Sequence, residues 1–271
     1  QAQRLKEAKK AWERALELDP SLKDIQRKLE QVTQELPVES QFDRISQFSF
    51  DVRYAEEVQS RAGYDIRDML LRARREVGGD FTLWPKYKLV VLVYTAEQFK
   101  QLRAETPDWV AGQFDGKIRI PMPSQALPPE EVTRILFHEY THALVHDAAG
   151  GHCPTWLNEG LATYQMWKDG QAPWTALKAA AAEDRLIPWD QLSSWFRYER
   201  SAKDVQLAYE QSHSIVQYLA RRYGFWRIRR ILADLRQGTS LEEAFAAHLP
   251  VKPERLPKEW RSWLNDQLAR S

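Results

Sequence analysis

At 271 residues, 43% of them hydrophobic, the chain has enough apolar material to bury a core, which excludes disorder as its main state and allows one large domain or one domain with an appendage. The 39 Lys and Arg against 38 Asp and Glu leave a formal net charge of +1, so no overall basic field argues for nucleic acid or an anionic membrane surface. The longest apolar run, around Leu89 to Val93, falls far short of the roughly 20 residues of a transmembrane helix, and the single cysteine, Cys153, excludes an internal disulfide framework. Because the chain begins at Gln1 rather than Met, the expectation is that a signal segment or further domains precede it.

Leu5, Ala8, Trp12, Ala15 and Leu16, then Leu22, Ile25, Leu29 and Val32, recur at helical spacing, and Asp19-Pro20 divides them into two short helices. Ala8, Trp12, Ala15 and Pro20 resemble the second half of a tetratricopeptide repeat, in which small and aromatic positions let paired helices nest before a proline-marked turn. One repeat cannot bury its own apolar face. The resemblance therefore implies an array continuing upstream and a protein partner for residues 1–37, with an ordinary amphipathic hairpin as the alternative. Residues 38–271 are expected to form the second domain.

Past Pro37 the period changes. Phe48, Phe50, Val52 and Tyr54 alternate with Ser49, Asp51 and Arg53, as in a half-buried strand. A helix from about Glu56 to Val77 is expected to stop at Gly78-Gly79; Tyr87 to Tyr94 reads as a central strand and Ala96 to Ala104 as a short helix. Gln113-Phe114, Asp115-Gly116 and Lys117 to Ile120 predict a hairpin whose Asp-Gly turn accepts positive φ. From Pro129 onward the pattern is helical. The expected fold class is α+β: a small mixed sheet with helices over about 45–122, a mostly helical half over about 128–271, and the N-terminal helical hairpin.

Pro128-Pro129-Glu130-Glu131 opens a helix with proline and acids where unpaired N–H groups and the positive dipole end favour them, and Gly150-Gly151 closes it. Inside stands His138-Glu139-Tyr140-Thr141-His142. Histidines four apart lie about 40° around and roughly 6 Å along the axis, so both imidazoles can reach one ion from a single face. Glu139 stands beside them, placed to take a proton from water at the metal rather than to ligate it. A catalytic zinc needs a third protein ligand and one open position. In Trp156-Leu157-Asn158-Glu159-Gly160-Leu161-Ala162 an acid sits among apolar and small residues, an expensive place for a carboxylate without a compensating cation. The offset from His142 leaves room for the first helix to finish, a turn at Gly150-Gly151, and a second helix.

HEYTH followed by WLNEGLATY resembles the gluzincin metallopeptidases, close to the bacterial peptidase-MA-like families and the zinc aminopeptidases. The resemblance covers roughly residues 45 to 235, strongly at the two zinc motifs. It implies a zincin-like fold, one zinc per chain on His138, His142 and Glu159, Glu139 as general base, and a peptide or protein substrate. GQFDGKIRIP resembles the family's strand beside the active-site helix. Tyr209-Glu210-Gln211-Ser212, expected to open a helix running to Tyr223-Gly224, resembles the segment whose tyrosine stabilises the tetrahedral intermediate, which would give Tyr209 that role. Thr163 stands where some gluzincins carry an orienting aspartate. No GxMEN-like segment precedes His138, so aminopeptidase activity is disfavoured. The resemblance also favours a bacterial cell-envelope setting over the cytoplasm.

Competing readings stay open at several residues. His146 lies about 12 Å of axial rise from His138, too far to share a coordination sphere of roughly 2 Å, and reads as core, rim or support for a ligand. Tyr209 could equally be a buried aromatic beside Leu207, Ile215, Tyr218 and Leu219. His213 shares its face and reads as a satisfied structural histidine. Asp147 and Asn158 are the weaker candidates to orient an imidazole. Eleven tryptophans could line a groove, though large aromatics more often fill cores. The basic cluster Arg221, Arg222, Arg227, Arg229 and Arg230 is read as a solvated face, and Cys153 as a structural thiol. Zinc-dependent peptide-bond hydrolysis leads; an idle zincin-fold scaffold and a hydrolase of non-peptide amides or esters are the alternatives.

Overall fold

The computed structural model describes residues 2–39, 42–46, 49–55, 60–102, 113–114, 116–122, 128–168, 172–196 and 200–270. Phe48, Asp115, the expected helix start at Glu56 and the helix end at Ala104 lie outside them. The architecture is α+β, in two compact units: Gln1–Arg67 with Lys88–Leu127, and Asp68–Tyr87 with Pro128–Ser271.

In the first unit, α1 (Ala2–Leu18) and α2 (Lys23–Glu39) form the hairpin. Between them the Asp19 carboxylate accepts hydrogen bonds from the Ser21 amide at 2.9 Å and hydroxyl at 2.6 Å, closing the turn. Pro37 does not end α2. The last turn is held by what lies beyond the proline: Val38 packs on Leu92, Tyr94 and Phe99, and buried Glu39 accepts from the Tyr94 hydroxyl at 3.0 Å.

The sheet has five strands in the order β1-β2-β3-β5-β4, where β1 is Asp43–Ser46, β2 Phe50–Tyr54, β3 Leu89–Thr95, β4 Gln113–Phe114 and β5 Ile118–Met122. β3 is central, parallel to both β2 and β5, and the outer pairs are antiparallel. Gly116 holds φ 94° between β4 and β5, the conformation an Asp-Gly turn demands. α4 (Ala96–Leu102) follows β3. β2 is buried throughout, not on one face as its alternation predicts, because Asp51 accepts from Arg44 at 2.6 Å and Arg53 at 2.8 Å and the charges cover one another. β1 has no alternation to read; pairing with β2 makes it a strand.

α3 (Ser60–Phe81) runs through Gly78-Gly79 instead of stopping there. A Cβ at Gly78 would lie 2.4 Å from Nε1 of Trp84, whose indole donates to the Arg74 carbonyl at 3.1 Å. The glycine admits a tryptophan; it does not end a helix. The second unit continues with α5 (Pro129–Ala149), α6 (Thr155–Met166), α7 (Thr175–Ala182), α8 (Ala202–Tyr223), α9 (Phe225–Arg236), α10 (Leu241–His248) and α11 (Leu256–Leu268). α8 starts earlier than Tyr209, under a Ser201 cap that accepts from the Asp204 amide at 3.2 Å. Trp156, Trp189 and Trp260 follow one another at centroid spacings of 5.8 and 5.9 Å, and Trp174 meets Trp263 at 6.1 Å, so these rings pack the helices together. Among the described residues no helix is long and apolar enough to cross a membrane.

The tie of α2 to the sheet carries buried charge: Arg119 of β5 donates to Glu35 at 3.0 Å, with both residues under 7% exposed. Replacing Arg119 alone by Met is expected to cost about 3–5 kcal/mol in urea unfolding, because Glu35 stays buried without its guanidinium; replacing both by Met costs less than the single change. Equal losses would contradict this account.

Candidate active site

α5 begins at an N-cap Pro128, has Glu130 and Glu131 in its first turn, and ends at Gly150 in the left-handed conformation, φ 61° and ψ 27°. Leu136, Phe137, Tyr140, Ala143, Leu144 and Val145 are all buried, so the helix is apolar nearly all round, as a central helix must be. On this helix the rings of His138 and His142 stand edge to face, centroids 4.7 Å apart at 85°. Glu139 is 4% exposed. Among the described residues His138, Glu139 and His142 form a group able to hold a metal, with one donor atom from each within 4.8 Å of the others.

Glu159, on α6, approaches the same point. Its Oε2 lies 3.4 Å from Nε2 of His138 and 3.5 Å from Nε2 of His142. Donors that share one ion tetrahedrally at bond lengths of 2.0–2.2 Å are about 3.4 Å apart along each edge. Two imidazoles and a carboxylate with a buried Oε2 at that spacing fit a zinc-sized cation. Two trios thus contain the histidines, one with Glu139 and one with Glu159. Glu139 follows His138 in the chain and is near it by covalent necessity, whereas Glu159 arrives from another helix.

Burial pushes the Glu159 carboxyl up, but the His142 and His138 imidazoles and hydrogen bonds from His138 and Tyr209 outweigh it and hold the group below the usual carboxylate range. Nδ1 of His142 lies 3.0 Å from Oδ1 of Asn158. A carbonyl oxygen only accepts, so Nδ1 carries a proton and Nε2 is the ring atom turned toward Glu159. Asp147 instead accepts from the Tyr87 hydroxyl at 3.1 Å. Nδ1 of His138 and Oγ1 of Thr163 are both buried without a hydrogen-bond partner among the described residues, so no observed bond from Thr163 does an orienting aspartate's work.

Tyr209 joins the site from α8. Its hydroxyl bonds Glu159, its ring centroid is 6.3 Å from that of His138, and Phe196 meets it edge-on at 5.0 Å. Phe196 carries no sequence signal of its own; it follows the short 3-10 turn Leu192–Trp195. His213 stands apart from this chemistry. Its Nδ1 accepts from the Trp174 indole at 2.9 Å, and burial, with the Arg221 charge, brings its pKa down to about 4. His146 is exposed. Burial and the Glu159 charge push the Cys153 thiol up, keeping it protonated and unlike a ligating thiolate. Two of the clustered arginines turn inward: Arg227 donates to the His248 carbonyl and Arg229 to the Thr82 hydroxyl.

A sequence profile of the Peptidase MA superfamily matches residues 122–266, a little over half of the chain, and the match spans α5, α6 and α8. The chain belongs to the Peptidase MA superfamily. No curated protein matches it. Membership indicates a metallopeptidase fold, with a peptide as the class of substrate, and the His138, Glu139 and His142 group is where such a protein would carry its metal.

Two expectations follow from the geometry. Asn158→Ala removes the acceptor that orients His142 and should weaken zinc binding about 10- to 100-fold in competition with a chromophoric chelator; unchanged affinity would remove Asn158 from the site. His213, neutral in the fold, has a folded pKa below its unfolded value. Its contribution is full above pH 6.5 and is lost toward about pH 4, with a slope of about 1.4 kcal/mol per pH unit. In chemical denaturation, His213→Gln should flatten the stability profile across that window.

Proposed function

We propose that the chain is a zinc-dependent peptidase of the gluzincin type, with His138, His142 and Glu159 holding one zinc. The observation that carries this reading is the approach of one Glu159 oxygen to both Nε2 atoms at the edge length of a zinc tetrahedron. When bound, the ion supplies a Lewis acid that polarises the scissile carbonyl and makes water acidic enough to yield its proton near neutral pH.

The chain's own groups do the rest. Glu139, nearly buried beside His138, takes the proton of the attacking water on its carboxylate as the water oxygen bonds to the carbonyl carbon. The same carboxyl then gives that proton to the departing amine nitrogen as the C–N bond breaks. Tyr209, whose hydroxyl bonds Glu159 in the free site, would turn that hydroxyl to the carbonyl oxygen as it gains negative charge and donate to it. Asn158 accepts from Nδ1 of His142 and so holds the ring with Nε2 turned toward Glu159, free to ligate once unprotonated.

The test pairs elemental mass spectrometry with digestion of a mixed-sequence peptide library. The parent should bind one zinc per chain and cleave at defined bonds. Glu159→Ala should lose the zinc, and Glu139→Gln should keep it while turnover falls about 10²- to 10⁴-fold. Parent-like turnover in a zinc-loaded Glu139→Gln protein would refute the assigned base. A zinc-loaded parent that cuts no peptide would favour an idle scaffold or a non-peptide hydrolase.

A further inference from the structure

Gly160 follows Glu159 on α6, and a methyl carbon placed on it would lie 2.7 Å from the Ser212 carbonyl oxygen, 2.9 Å from the Ser212 carbonyl carbon and 2.9 Å from Cγ2 of Val216. Tyr209, Ser212 and Val216 are spaced i, i+3 and i+7, so they share one face of α8. The glycine contact therefore sits one turn from the tyrosine contact, on the same face and against the same helix. Two of the three near atoms are backbone, which no rotamer change can move away. A methyl there would have to open the crossing by about 1 Å to restore a normal separation of about 3.5 Å.

We infer that Gly160 is the positioning residue for Tyr209: its missing side chain sets the separation of α6 and α8 at which the Tyr209 hydroxyl reaches the Glu159 carboxylate. The inference rests on the proposed role of Tyr209 and adds the device that places it. His138 and His142 are on α5, which takes no part in this crossing, and α6 is tied to Asp80 through Gln165 and Lys168, so the separation that a methyl adds falls on α8 and its tyrosine. Polar bonds hold α8 from its other side, where Glu210 accepts from the Leu177 amide at 2.8 Å and Gln211 bonds both the amide and the carbonyl of Ile187. These bonds seat α8 at the separation that Gly160 permits, and a methyl at Gly160 strains them.

The experiment compares Gly160→Ala, Tyr209→Phe and the double variant on a quenched peptide that the parent cleaves, beside zinc content and crystal structures of the zinc-free proteins. Gly160→Ala should bind zinc as the parent does, carry Tyr209 out of hydrogen-bond range of Glu159, and lower kcat about 10²-fold with KM little changed, as Tyr209→Phe does. The double variant should fall within about twofold of Tyr209→Phe, because a displaced tyrosine has nothing left to lose. Multiplying losses, or a Tyr209–Glu159 bond intact in Gly160→Ala crystals, overturns the proposal. If Gly160→Ala does not fold, Val216→Ile, which enlarges the opposite side of the crossing, must give the same pattern or the proposal falls. If no peptide is cleaved by the zinc-loaded parent, the peptidase reading fails by itself and the crystallographic comparison decides the placement of Tyr209.

Discussion

A desolvated carboxylate facing two imidazole nitrogens is the constraint around which the second unit is arranged. The Oε2 atom of Glu159 is buried against the tendency of its charge, and His138 and His142, 3.4 and 3.5 Å from that oxygen, help to offset the cost. That demand fixes how α6 meets α5. Gly150 and Gly151, at φ 61° and 81°, let the chain turn sharply between the two helices, and the Ser193 hydroxyl accepts from the Trp156 amide at 3.3 Å where α6 begins without a side-chain cap of its own. At the far end of α6, Gln165 and Lys168 both donate to Asp80, at 3.0 and 2.7 Å. The helix carrying Glu159 is thus held at both ends by polar contacts and in the middle by the site.

α8 divides its faces between chemistry and support. Tyr209, Ser212 and Val216 look toward α6. Gln206, Glu210 and His213 look toward α7, where the buried Glu210 carboxylate accepts from the first amides of that helix and His213 takes the indole proton of Trp174. Burial raises the Glu210 carboxyl, and the amides of Leu177, Ala176 and Thr175 draw it back only in part. A network of this kind rigidifies when every member is satisfied and is costly when one is removed. The helix that delivers a tyrosine hydroxyl to the site is accordingly seated from both sides, by α7 on one face and by the close approach of Gly160 on the other.

The legible parts of the sequence were those written in short-range spacing. His138 and His142 declare themselves because a helical turn brings i and i+4 together, and Glu159 because a lone acid among Trp156, Leu157, Gly160 and Leu161 has no cheap reason to be there. The outer strand β1, the course of α3 through Gly78 and of α2 through Pro37 were not legible. Each is decided by a partner distant in the chain: β2 for β1, Trp84 for Gly78, Tyr94 and Phe99 for the end of α2. Asn158 was a weak candidate because an amide next to a ligand has no spacing rule. Phe196 and the close fit at Gly160 depend on where α8 lies, which no local pattern encodes.

The buried acids of the chain also show why the site differs from the rest of the interior. Asp51 has Arg44 and Arg53, Glu35 has Arg119, and Glu39 has Lys117 at 3.5 Å: fixed cations answer each charge. Glu210 has the amides of a helix start. Glu159 faces two imidazoles, which are neutral when they act as ligands and carry charge only when protonated. A fixed arginine in their place would neutralise the carboxylate permanently and block the approach of any other cation. Imidazoles answer the carboxylate through N–H while protonated and present lone pairs once the proton leaves, so the groups that face Glu159 in the fold can also be offered to a divalent ion.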